Sequence, residues 1–130
     1  MSYPPLPSPC KVLVVEDEPL LRLDAIDLIE EAGFEVVEAT NADQALRLLE
    51  RDPDIRILFT DVDMPGSMDG VKLAHLVRLR WPPVAILVCS GHLKVTQTTL
   101  PENGRFFSKP YPAHAVQDAL RQAASNRLAA

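Results

Sequence analysis

Two cysteines, Cys10 and Cys89, are all that the 130 residues contain. They are too few for a disulfide framework and lack metal-ligand spacing, so both read as reduced thiols in a cytoplasmic chain. No apolar run approaches the roughly 20 residues that a membrane span needs, which excludes a membrane protein of that kind. Residues 1–9 have neither a basic start nor an apolar stretch, so they are not expected to be a secretory signal. Positive charge is also in short supply: 13 Lys and Arg against 18 Asp and Glu leave a formal charge of −5. A nucleic-acid surface would need clustered basic residues, so no direct DNA binding is expected and the partners should be proteins. What remains, 47% hydrophobic and 24% charged residues, is the balance of one soluble globular domain with one core.

Pro4, Pro5, Pro7 and Pro9 exclude a helix or strand ladder, so 1–9 reads as an extended tail ahead of a domain over 10–130. Five short apolar runs follow. Lys11 to Val15 is a continuous β-branched run of the kind buried on both faces of a parallel sheet. Phe34 to Ala39, Ile57 to Asp61, Val84 to Cys89 and Arg105 to Ser108 have the length and bounds of further strands. Between them lie helical spacings. Pro19 suits a first turn, Leu21, Ala25, Leu28, Ile29 and Ala32 recur on one face, and Gly33 supplies a stop. Asn41 and Gln44 make a capping box for a second helix, and Val71, Leu73, Ala74, Leu76 and Val77 mark a third, ended before Pro82-Pro83. A last helix opens at Tyr111-Pro112. Trp81 reads as a packing residue. Regular alternation with short connections implies right-handed crossovers and a doubly wound α/β fold, a parallel sheet between two helix layers.

In such sheets the ligand site lies beyond the carboxyl ends of the strands. Four of the five runs end in polar residues: Glu16 and Asp17 after the first, Asp61 after the third, Ser90 after the fourth, Lys109 after the fifth. Each has a bland reading. The acids could cap a helix, Asp61 and Ser90 could start turns, and Lys109 could be solvated. Their coincidence at successive strand ends favours one site. Several carboxylates together repel unless a cation sits among them, and hard oxygen ligands at such a crevice suit Mg²⁺. Lys109 and Ser90 suit phosphoryl oxygens, and Asp61 is placed to attack. The chemistry implied is transfer of a phosphoryl group to an aspartate.

Val14-Val15-Glu16-Asp17, Thr60-Asp61-Val62-Asp63-Met64-Pro65, Met68-Asp69-Gly70, Val88-Cys89-Ser90-Gly91-His92 and Ser108-Lys109-Pro110 together resemble the receiver domain of two-component response regulators. The resemblance runs from about Lys11 to Leu120. It implies the flavodoxin-like fold with five-stranded sheet order 2-1-3-4-5. It implies that Asp61 accepts a phosphoryl group from a histidine kinase or histidine phosphotransfer protein. Asp17 would bind Mg²⁺ with Glu16 acting indirectly, and Asp63 would contribute its backbone carbonyl. Ser90 would bond the phosphoryl group, Phe106 would be the aromatic switch, and Lys109 would pair with phosphoryl oxygens, its bond to Pro110 being cis. Such a protein is a signalling switch rather than an enzyme, alone or as a weak dimer, with an unnamed downstream protein as its target.

The chain departs from that pattern in two places. Gly66, Ser67 and Met68 enlarge the loop beside the site by one residue. The stretch 91–105, with Thr96, Thr98, Thr99, Pro101, Asn103 and Gly104, is a poor helix former, so the fourth helix should be short or irregular. Since the 130 residues stop just past the last helix, a stand-alone receiver acting by docking, without an output domain, is expected. His92 and Asp63 flank the site and could affect how water reaches an acyl phosphate. Two rivals remain. A docking module could keep the fold without the chemistry, or Asp61-Val62-Asp63 could be the nucleophile motif of a haloacid dehalogenase-like phosphatase. That family carries the motif on an early strand of a longer chain, whereas here it lies on the third.

Overall fold

The computed structural model describes residues 10–66, 68–91 and 99–129, with side chains through 126. The expected tail at 1–9, Ser67 of the enlarged loop, and 92–98 with His92, the heart of the expected irregular helix, lie outside the described residues. The elements in chain order are β1 (Lys11–Val15), α1 (Pro19–Glu31), β2 (Glu35–Ala39), α2 (Ala42–Arg51), β3 (Ile55–Asp61), α3 (Gly70–Arg80), β4 (Ala85–Ser90), β5 (Arg105–Ser108) and α4 (Ala113–Ala129).

All strand pairings are parallel and the sheet order is β2-β1-β3-β4-β5. The chain therefore reverses its direction of winding at β1 and β3, which is where such sheets open a crevice. β1, β3 and β4 are buried on both faces, and this accounts for their unbroken apolar runs. Alternate residues point to opposite layers. Leu13, Val15, Leu58, Ile86 and Val88 pack with Ala45 and Leu49 of α2 and Leu73 and Val77 of α3. Val12, Val14, Ile57, Phe59 and Leu87 pack with Ile29 of α1 and Val116 and Leu120 of α4. Each fully buried Leu or Ile contributes roughly 1.5–3 kcal/mol, so the central strands are the rigid part on which the site is mounted.

The helix ends are set by side chains. Glu18 caps α1, its carboxylate accepting from the Leu21 N–H at 2.9 Å, with Pro19 inside the first turn and Gly33 in a left-handed conformation (φ 98°) beyond the end. Asn41 caps α2 by accepting from the Gln44 N–H at 2.8 Å. The reciprocal bond differs from the expected capping box: Gln44 accepts from the Thr40 N–H at 2.6 Å, one residue before the cap. Trp81 is half-buried against the core with the Arg80 guanidinium 4.4 Å over its ring, the packing role expected of it.

Asp69 caps α3, accepting from the Lys72 N–H at 2.9 Å, and Gly70 donates its N–H to the Val62 carbonyl at 2.9 Å. Gly70 is pressed against the Asp61 carbonyl, and a methyl group there would run into that oxygen and the Val62 Cα. Both obstacles are backbone, so the end of β3 would have to move. Gly70→Ala is expected to lower the unfolding free energy by about 1–3 kcal/mol, read as a lower urea midpoint with an unchanged slope.

Candidate functional site

Glu16 and Asp17 follow β1, Asp61 closes β3, Ser90 closes β4, and Lys109 follows β5. Backbone bonds fix the strand ends that carry them. The Glu16 N–H donates to the Ala39 carbonyl at 3.1 Å, the Val62 N–H to the Cys89 carbonyl at 3.0 Å, and the Lys109 N–H to the Ser90 carbonyl at 2.9 Å. The Lys109-Pro110 bond is cis, as expected. The structure thus brings the residues named from the sequence to one end of the sheet. Lys109 Nζ lies 3.1 Å from Asp61 Oδ1 and 3.3 Å from Glu16 Oε1, the latter across 93 positions of sequence.

Glu16, Asp61 and Ser90 are buried, while Asp17 is exposed at the rim. Asp63 is exposed two residues after Asp61, and Phe106 is half-buried on β5 against the α2 and α3 layer. Only one of the three adjacent acids is a helix cap: Glu18. Glu16 instead accepts from the Glu18 N–H at 3.1 Å, which turns the loop so that Glu16 and Asp17 both face Asp61.

Burial pushes the Asp61 carboxyl above its usual range against the pull of Lys109, and the charge of Asp63 adds to the rise. Glu16 is raised for the same first reason, desolvation, with Asp61 contributing. Burial works against the Lys109 ammonium, yet Asp61 and Glu16 together hold its pKa above the ordinary lysine value. An acid whose pKa is raised by folding favours the fold while protonated and opposes it as pH climbs through the raised value. Asp61 and Glu16 therefore carry a cost at neutral pH. Asp61→Asn is expected to melt higher than wild type in metal-free buffer, by a margin that grows from the ordinary carboxylate range toward pH 7. A margin that shrinks over that range, followed by calorimetry, would contradict this electrostatic picture.

The three acids Glu16, Asp17 and Asp61 each offer an oxygen, all within 4.8 Å of one another. Asp61 Oδ1 is buried and, among the described residues, receives no properly angled hydrogen bond although Lys109 Nζ is close. Crowded carboxylates with unmet acceptor capacity, beside a crevice open at Asp17, fit a hard, oxygen-loving cation such as Mg²⁺.

Three features lie at the site beyond the residues named for it from the sequence, Cys89 having been read only as a reduced thiol. The first is a cleft of about 450 Å³ that runs from Glu16, Asp61 and Lys109 between α1 and the start of α4, lined by Leu21, Ala25, Leu28 and Tyr111. Tyr111 is held by an edge-to-face contact with Phe59, 5.8 Å between centroids. Leu21, assigned by spacing to the buried face of α1, is 45% exposed and lines this cleft; Leu20 and Leu23 beside it are 71% and 54% exposed. The second is Cys89, register partner of Asp61, whose thiol burial pushes up to about 12, leaving it an inert filler under the site. The third is Arg22, which donates to the Glu16 carbonyl at 2.9 Å and to Glu38 at 3.1 Å. Neither Leu21 nor Arg22 belongs to a motif, and only the folded chain relates them to the acids.

Comparison with known proteins gives a consistent picture. Residues 12–121 match the family model described as the response regulator receiver domain. Response regulator protein FleR of Pseudomonas aeruginosa is 33% identical over 121 residues, covering 91% of this chain but 25% of that protein. The chain thus spans about a quarter of that relative's length, and 13% of sensor protein TorS of Escherichia coli, to which it is 25% identical. Response regulator receiver protein CpdR of Brucella abortus is 29% identical over 104 residues, 78% of this chain and 85% of that one. Among solved structures, a receiver protein from Sinorhizobium medicae superposes with TM-score 0.84 at 24% identity, covering 92% of this chain and 98% of that chain. The receiver domain of hybrid histidine kinase CckA superposes with TM-score 0.72 at 29% identity, over 87% and 97%.

Proposed function

The chain belongs to the response regulator receiver domain family of two-component signalling, and from that premise we propose that it is a phosphorylation switch whose phosphoacceptor is Asp61. The observation that carries this reading is the Lys109 ammonium reaching both Asp61 and Glu16 at the mouth of the crevice, with Asp17 at its rim. In the proposed reaction an Asp61 oxygen attacks the phosphorus of a phosphohistidine on a histidine kinase or phosphotransfer protein. The P–N bond breaks, its electron pair returns to the imidazole nitrogen, and an acyl phosphate forms on Asp61.

Lys109 supplies a point charge to the phosphoryl oxygens, and the Ser90 hydroxyl supplies a donor. Burial of Asp61 keeps water away from the acyl phosphate and strengthens both contacts. Glu16, Asp17, Asp61 and the Asp63 carbonyl would hold Mg²⁺. Bound there, the ion would offset the charge that the phosphoryl group adds. Because Ser90 and Lys109 contact the phosphate in one state only, phosphorylation shifts a two-state equilibrium, with Phe106 on the neighbouring strand as the aromatic that moves. The exposed leucines of α1, with Leu21 lining the cleft, suit contact with a protein donor. The match to CpdR, covered over 85% of its length, supports a module that works by itself; this chain's downstream partner would then be a protein bound by docking.

Incubation with acetyl phosphate and Mg²⁺ is expected to add one phosphoryl group per chain, lost in hydroxylamine as an acyl phosphate is. No incorporation would favour a docking module without chemistry. Continuous turnover of a phosphomonoester would favour a phosphatase.

A further inference from the structure

We propose that Arg22 is a positioning residue of the Mg²⁺ site, holding the Glu16-Asp17 peptide plane so that the Asp17 carboxylate faces Asp61. This rests on the reading of the acid cluster given above. Asp17 is exposed, so no packing fixes its side chain from the solvent side. Its place among the acids is set by the backbone on either side of it. The Glu16 N–H is tied to the Ala39 carbonyl of β2 at 3.1 Å, and the Glu18 N–H is tied to the Glu16 carboxylate at 3.1 Å. The carbonyl of Glu16 belongs to the peptide unit that joins the two acids. Arg22 Nη1 donates to it at 2.9 Å, while Arg22 Nε donates to Glu38 on β2 at 3.1 Å. The planar guanidinium thus braces the loop to the sheet edge from the first turns of α1, its side chain only 17% exposed.

Charge alone predicts the opposite consequence. A cation this close to three acids repels an incoming Mg²⁺, so a purely electrostatic Arg22 would weaken metal binding and its removal would tighten it. A bracing Arg22 makes the acid cluster ready for the ion, and its removal loosens binding, as loss of an outer partner of a metal ligand commonly does. The sign of the change separates the two.

The test is calorimetric titration of the metal-free protein with Mg²⁺, for wild type, Arg22→Met, Arg22→Lys and Glu38→Gln. Bracing predicts a Kd about tenfold weaker for Arg22→Met. It predicts an intermediate value for Arg22→Lys, which keeps the charge but offers no fork to reach both oxygens, and a near wild-type value for Glu38→Gln, which keeps an acceptor for Nε. In acetyl phosphate labelling, the Mg²⁺ concentration for half-maximal rate should rise by the same factor, with the rate at saturating Mg²⁺ little changed. Unchanged or tighter Mg²⁺ binding by Arg22→Met would overturn the proposal. So would Arg22→Lys binding as wild type does, since charge would then suffice. Circular dichroism melts confirm the fold of each variant; should Arg22→Met not fold, Arg22→Lys and Arg22→Gln carry the same comparison. If wild type itself takes up no Mg²⁺, or Asp61→Asn binds it unchanged, the assignment of the acid cluster fails rather than the role of Arg22.

Discussion

Asp61→Asn is expected to accept no phosphoryl group from any phosphorylated histidine kinase that labels the wild type, a loss of roughly three orders of magnitude or more. The amide keeps the size and much of the hydrogen-bonding shape of the carboxylate, so the loss reports on the nucleophile and not on the fold. The same substitution removes a desolvated negative charge that burial makes costly at neutral pH. A variant that melts higher and does nothing is therefore the expected outcome, a trade of stability for chemistry concentrated in one residue. Retained labelling at the wild-type rate would move the phosphoacceptor elsewhere.

Lys109→Met should lose on both counts. Without the ammonium, Asp61 and Glu16 face each other with no cation between them, and removing one partner of a largely buried ion pair leaves the remaining charges uncompensated. The expected cost is about 1–3 kcal/mol at pH 7 in metal-free buffer, measured by urea unfolding. The cost should shrink in acid as the two carboxyls take up protons, and shrink again on adding Mg²⁺. The alkaline limit of the Lys109 contribution is set by Lys109 itself. Its raised pKa means the stabilisation present at neutral pH persists up to the ordinary lysine value of 10.5 and is lost as pH rises beyond it. Labelling at saturating Mg²⁺ should fall about 10²-fold, the usual cost of removing one donor to a charge that develops in the transition state.

These effects fall on residues that the sequence named, for a physical reason. Parallel strands buried on both faces advertise themselves as apolar runs, and the polar residue that ends each run must lie at the same edge of the sheet. Asp61, Ser90 and Lys109 could thus be placed together without knowing a single distance. Helix faces were harder to read. Leu21 sits at the right spacing for the core of α1, yet it lies on the first turn, where the cleft beside Lys109 leaves nothing to cover it. Spacing along one helix says which residues share a face, not what that face meets. By residue type alone Glu16, Asp17 and Glu18 could each cap a helix, and only the resemblance singled out Asp17 for the metal; the turn after β1 makes the first a buried partner of Lys109, the second a rim acid and the third a helix cap. Arg22 reads as one more surface arginine until β2 is seen to bring Glu38 to it.

The central claim is that a phosphoryl group comes to rest on one carboxylate at the end of β3. Borohydride reduces an acyl phosphate to an alcohol, which would convert a phosphorylated aspartate to homoserine and leave other aspartates intact. Wild-type protein treated with acetyl phosphate and Mg²⁺, reduced and mapped by peptide mass spectrometry, should carry homoserine at position 61 and nowhere else. Homoserine at another aspartate, or an unmodified peptide at position 61 from protein shown to carry the phosphoryl group, would contradict the account.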